Sequence, residues 1–214
     1  MVDRIGSMFA PGNLVSTLCT VVAALLAIMG HEVAHGLVAY SLGDPTAKRA
    51  GRFTFNPLKH IDLVGLLMLI FVGFGWAKPV PVDMRYFEKP KRDMAFTALA
   101  GPLANFVMAW LGLLLLHAAG YLPAAAFEYA YTFLVVFVLI NIGLGVFNLF
   151  PFPPLDGSKI LGGLLPDKWY YAQLRFERFG MIFLMVLLFT GLLDTPLGFL
   201  RDVMLDALRF LAFW

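Results

Sequence analysis

His31, Glu32 and His35 stand in the order His-Glu-x-x-His inside an otherwise apolar stretch. On an α-helix two imidazoles four residues apart share one face, about 40° apart around the axis, and can grip one Zn²⁺. Glu32 is displaced by about 100°, beside such a metal, where its carboxylate can take a proton from a water whose pKa a catalytic zinc lowers to roughly 7. A catalytic zinc also needs a third protein ligand and an open fourth position. Asp156 is the candidate, because Pro151, Pro153 and Pro154 interrupt an apolar run just before it. Such a break places a carboxylate and unwound backbone at membrane depth, a form tolerated only where it lines a protein cavity. The bland alternatives are two satisfied histidines in a helix bundle and a turn aspartate before Gly157. Charged side chains in a bilayer-spanning helix cost roughly 2.5 to 3.5 kcal/mol each, which weighs against a purely structural role for the cluster.

The elements that must carry these residues are those of a membrane protein. The 214 residues are 60% hydrophobic and 14% charged, with 21 Phe, too little polar surface for a water-soluble globule. A net charge of +2 without a basic stripe gives no footing for nucleic acid. Cys19 is the single cysteine, so neither an internal disulfide nor a thiolate metal cluster is available. The first apolar block lacks a basic leader and a small-residue cleavage site and does not read as a removable signal peptide.

Residues 13–42 form a first span, long enough to cross a bilayer of roughly 30 Å even when tilted. Gly43, Asp44 and Pro45 end it with turn chemistry. Alternation at Arg52, Phe53, Thr54 and Phe55 reads as a short strand against the membrane surface. Residues 61–75 are short for a span and rich in glycine, which suits a re-entrant excursion. Spans are expected at 95–119 and 129–150, a shorter fourth at 179–193, and at 197–214 an amphipathic helix that lies at the interface or caps the bundle. The fold class is thus all-α and polytopic, with about four transmembrane helices, a re-entrant or short β segment and a C-terminal amphipathic helix. We read 1–214 as a single domain, with a core at about 13–163 and a C-terminal span and helix at 175–214. Nine Lys and Arg lie between Gly43 and Met94 and none at 118–130, so the basic loops, and with them the histidine half of the first span, belong on the cytoplasmic side.

Several polar residues compete for roles. His60, beside Lys59, is expected on a surface loop, and His117 at the outer end of the second span. Asn148 either donates a hydrogen bond to the oxyanion of a peptide under attack, or satisfies carbonyls freed by the Pro151 break. Asn105 and Asn141 read as helix-packing residues with interhelical hydrogen bonds. Asn56, Pro57 and Asp62 either pin the re-entrant segment or form an ordinary turn. Phe53 and Phe55 would lie on a strand edge that pairs with an extended substrate, a role the edge of residues 61–75 could take instead.

His31-Glu32-x-x-His35 together with Asn148-Leu-Phe-Pro-Phe-Pro-Pro-Leu-Asp156-Gly157 closely resembles the site-2 protease family of intramembrane metalloproteases. Asn56-Pro57-Leu-Lys-His60-Ile-Asp62, Gly75-Trp76-Ala77-Lys78-Pro79-Val80 and Ala100-Gly101-Pro102-Leu-Ala-Asn105 support the match. These look like the small prokaryotic members, with no PDZ-like or nucleotide-sensing domain apparent, and the resemblance runs from about Met29 to Gly163. Leu63 departs from the pattern, where many similar sequences carry Pro. The resemblance implies zinc on His31, His35 and Asp156, Glu32 as general base, and cleavage of a transmembrane-protein substrate in or near its membrane segment. It places the chain in a prokaryotic cytoplasmic membrane. The Trp76 to Pro81 loop suits a gate. The rivals are a zinc or proton transporter, which would carry matching half-sites that the sequence does not show, and a homologue that binds membrane proteins without cutting them, which would have lost Glu32.

Overall fold

The structure is a computed structural model and describes residues 14–65, 68 and 76–212. The apolar blocks fold as helices, in chain order α1 (Leu14–Ser41), the single turn α2 (Thr46–Arg49), α3 (Pro90–Ala119), α4 (Ala124–Asn148), α5 (Asp156–Leu164), α6 (Asp167–Phe189) and α7 (Asp194–Leu211). Three of them, α1, α3 and α4, are long and apolar enough to cross a membrane. A fourth candidate is the latter part of α6 from Phe179 joined to α7 across an 88° bend. The chain is an all-α polytopic membrane protein.

Both α3 and α4 begin five residues before their apolar runs, because their first turns are set by local chemistry that hydropathy does not register. Pro90 opens α3 with a fixed φ, and the Asp93 carboxylate accepts the Lys89 N–H at 2.9 Å. In α4 the proline is the N-cap itself, Pro123, with φ −57°. The centre of the bundle is α3, which packs on α1, α4 and α5. Ala109 and Leu113 meet Val138, Ile142 and Val146 there, and a Cβ at Gly112 would run into Val138. Small residues let the backbones approach closely, as apolar helices in lipid require. α7 sets Leu208 and neighbouring Ala212 on this cluster while Arg201, Asp202 and Arg209 stay exposed, so it caps the bundle. Leu184 and Leu187 of α6 pack on Leu155, just ahead of α5.

Residues 52–55 do not form the expected strand. Arg52, only 4% exposed, turns inward and donates to the carbonyls of Lys59, Lys78 and Pro79, so side-chain bonds replace a ladder. Ile61 and Ala77 form an isolated antiparallel bridge. Most of the expected re-entrant segment, residues 66, 67 and 69–75, lies outside the described residues. Asn56 and Pro57 make an ordinary turn, with Asn56 Oδ1 accepting the Leu58 N–H at 3.0 Å. His60 is buried, not on the surface, because its Nε2–H reaches the Thr54 carbonyl at 2.9 Å. His117 is exposed at the end of α3.

Candidate metal and catalytic site

α1 delivers His31 and His35 one above the other, rings edge to face with centroids 4.5 Å apart. Asp156 comes from the first turn of α5, and all three side chains are buried. A Cβ on Gly157 would overlap the Leu149 and Phe150 carbonyls, so only glycine lets α5 start flush against the end of α4 and carry Asp156 to the histidines. The His31 and His35 Nε2 atoms are 2.9 Å apart, and Asp156 Oδ2 lies 3.1 Å from the first and 3.0 Å from the second.

These three atoms are all electron-pair donors. His35 Nδ1 donates to the Thr97 carbonyl at 2.7 Å, and His31 Nδ1 lies 2.6 Å from the Asn105 amide oxygen. With Nδ1 protonated in each neutral ring, both Nε2 lone pairs face one another and a carboxylate, an arrangement that only a cation makes favourable. Tetrahedral zinc with bonds of about 2.0 to 2.1 Å separates its ligands by about 3.3 Å, so two imidazole nitrogens and a carboxylate oxygen at these spacings fit one such ion. Gly101 clears the space: a Cβ there would stand 2.6 Å from His31 Nε2 and against His35 Nε2.

Glu32 is placed by a different device. Its Oε2 accepts the Val80 N–H at 2.8 Å, from the 76–81 loop that the Arg52 guanidinium holds by two carbonyls. The Lys78 N–H bonds the His60 carbonyl at 2.8 Å, so buried His60 anchors the same loop. Sequence reasoning set Arg52 on a surface strand and missed that it anchors this loop, and it missed the Thr97 carbonyl, which carries no side-chain signal.

Two cavities meet at these residues. One, of about 410 Å³, is bordered by His31, Glu32, His35 and Asp156 and continues to the polar side chains of Lys159, Gln173 and Glu177. The other, of about 520 Å³, is largely apolar and runs past Met29, Trp76, Leu155 and Leu184. Glu32 and Asn148 border both. Phe53 and Phe55 border neither; Phe53 packs on Tyr40 of α1 at 5.9 Å, with its ring against Gly36, and Phe55 points outward.

Comparison with known proteins adds to this geometry. Residues 123–193 match the family model of peptidase family M50. YwhC of Bacillus subtilis, provisionally named a zinc metalloprotease, is 40% identical over 176 residues, covering 80% of each chain. The chain belongs to peptidase family M50. Rip2 of Mycolicibacterium smegmatis, similarly named, is 31% identical over 189 residues, covering 86% of this M50 chain and 72% of Rip2. The zinc metalloprotease MJ0392 of Methanocaldococcus jannaschii is 33% identical over 84 residues, 39% of this chain and 23% of that one. No solved structure gives a match. M50 peptidases are zinc-dependent metalloproteases, and this chain is one of them by family and by its apolar helices. The family match covers α4, Asn148 and Asp156, while the His-Glu-x-x-His pattern lies outside it.

Proposed function

We propose that this M50 chain hydrolyses peptide bonds in or beside the transmembrane segments of membrane proteins, with zinc held by His31, His35 and Asp156 and with Glu32 as general base. The observation that carries the reading is the convergence of three donor atoms at 2.9 to 3.1 Å, with Glu32 on the wall of the same cavity. Zinc, when bound, supplies a Lewis acid that lowers the pKa of water to about 7. Glu32, oriented by the Val80 N–H, accepts the proton of the attacking water and passes it to the leaving amine. Asn148 uses one N–H on the Leu144 carbonyl at 3.0 Å and borders both cavities, so its second N–H is the one that would serve a substrate carbonyl oxygen.

Water enters through the polar cavity, and the substrate, locally unwound because helical carbonyls are already engaged, lies in the apolar one. Loop 76–81, whose Pro79 borders both cavities, acts as the gate. The working unit is a single domain over 1–214, in a cytoplasmic membrane, with the polar cavity facing the cytoplasm as the basic residues direct. No observation favours the transport reading.

The test is cleavage of a panel of transmembrane peptides by detergent-purified protein, with bound zinc measured in the parent and in Glu32→Gln. We expect Glu32→Gln to keep its zinc and lose about 10²- to 10⁴-fold in rate. Undiminished cleavage by that variant would remove Glu32 from the mechanism, and a zinc-loaded parent that cuts nothing would remove the protease reading.

A further inference from the structure

Between α1, α3 and α4, at the depth of His31, lie two carboxamides with no solvent exposure at all, Asn105 and Asn141. A buried amide without partners is costly, so its hydrogen bonds determine what it can do. Asn141 Nδ2 donates to the Phe137 carbonyl on its own helix at 2.9 Å, which leaves Asn141 Oδ1 as an acceptor. That oxygen takes a hydrogen bond from Asn105 Nδ2 at 2.9 Å, and the same NH₂ reaches the Ala27 carbonyl of α1 at 3.2 Å. Both partners of Asn105 Nδ2 only accept, so a flipped amide would set oxygen against two oxygens. Asn105 Oδ1 therefore faces His31 Nδ1, 2.6 Å away, and an amide oxygen cannot donate. The proton of His31 must sit on Nδ1, and Nε2 is left bare toward His35 and Asp156.

We infer that Asn105 and Asn141 are positioning residues for the metal: acting in series from α4 through α3, they fix the tautomer and ring plane of His31. The inference rests on the zinc site proposed at His31, His35 and Asp156. Asn105 also holds α1 at Ala27, one turn before His31, so it sets the height of the ring as well as its proton. His35 obtains the same tautomer from a backbone carbonyl that no side-chain substitution removes. The two ligands thus differ in what can disturb them. Partners that orient a ligating histidine are typically worth 10- to 100-fold in metal affinity.

The experiment is zinc competition against a graded chelator, with the Co²⁺-substituted absorption spectrum, on detergent-purified parent, Asn105→Leu, Asn105→Asp, Asn141→Leu and the double leucine variant. Asn105→Leu should bind zinc 10- to 100-fold more weakly with an altered Co²⁺ spectrum. Asn105→Asp keeps the acceptor for His31 Nδ1 but sets its second oxygen against the Ala27 carbonyl and Asn141 Oδ1, so it should fall between the parent and Asn105→Leu. Asn141→Leu should weaken zinc in the same direction and add nothing to Asn105→Leu, since it acts through that residue. Parent-like affinity and spectrum in Asn105→Leu would overturn the inference, as would additive losses. If the leucine variants do not fold, ¹⁵N-histidine spectra of the parent holoprotein decide: a metal-bound Nε2 with a protonated Nδ1 on His31 supports the series, and ligation through Nδ1 overturns it. A parent that binds no zinc would take down the metal site itself.

Discussion

Gly101 is the residue whose missing side chain the site depends on. A Cβ there would lie 2.6 Å from His31 Nε2 and against His35 Nε2, on the atoms that would face the metal. α3 cannot retreat easily, since Asn105 one turn on is tied to both α1 and α4. Overpacking of this kind costs about 1 to 3 kcal/mol, and because it is directed at the donor atoms it falls on metal binding. Gly101→Ala should therefore bind zinc roughly 5- to 150-fold more weakly, read by chelator competition. A variant with parent affinity would show that the imidazoles have room to yield.

At the scale of elements, the loop that orients Glu32 has no regular secondary structure of its own. It is held by the guanidinium of Arg52, with acceptors at Lys59, Lys78 and Pro79, and by the His60 carbonyl. Removing the guanidinium breaks its part-buried, charge-assisted bonds to these carbonyls, each worth about 1.5 to 3 kcal/mol. Arg52→Met should lower the thermal midpoint and slow cleavage of a transmembrane peptide by at least tenfold, while zinc content stays at the parent level because no ligand is touched. Loss of zinc in that variant would instead mean that the loop supports the metal site directly.

For the whole molecule, the donor triangle joins α1 to α5 across the bundle, so an ion bound there would stabilise the packing as well as the chemistry. Zinc at about 1,000 times its Kd contributes roughly 4 kcal/mol to the folded state. Chelation should lower the thermal midpoint by several degrees and excess zinc should restore it; an unchanged midpoint would mean that zinc is not held tightly. Orientation is testable in vesicles with Cys19 replaced by alanine. Arg85→Cys should react with an impermeant maleimide only from the cytoplasmic face and Tyr121→Cys only from the opposite one. The reverse pattern would invert the proposed topology.

The clustering of His31, His35 and Asp156 was legible in the sequence because two signals are local: the four-residue spacing of His31 and His35, and the proline break before Asp156. The long helices were legible because bilayer thickness demands unbroken apolar runs. Their first turns were not, since Pro90 and Asp93 act through capping. Residues 52–55 alternated like a strand, yet Arg52 is recruited by carbonyls seven and more residues away, which no local period encodes. His60 was misread for the same reason, its burial arising from Thr54 and the returning loop. Asn105 and Asn141 could be placed in helix packing, but not on the ring of His31. Helix identity and ligand spacing follow from near neighbours along the chain. Which amide meets which imidazole, and which loop reaches Glu32, depends on how α1, α3 and α4 cross, and only the tertiary structure decides that.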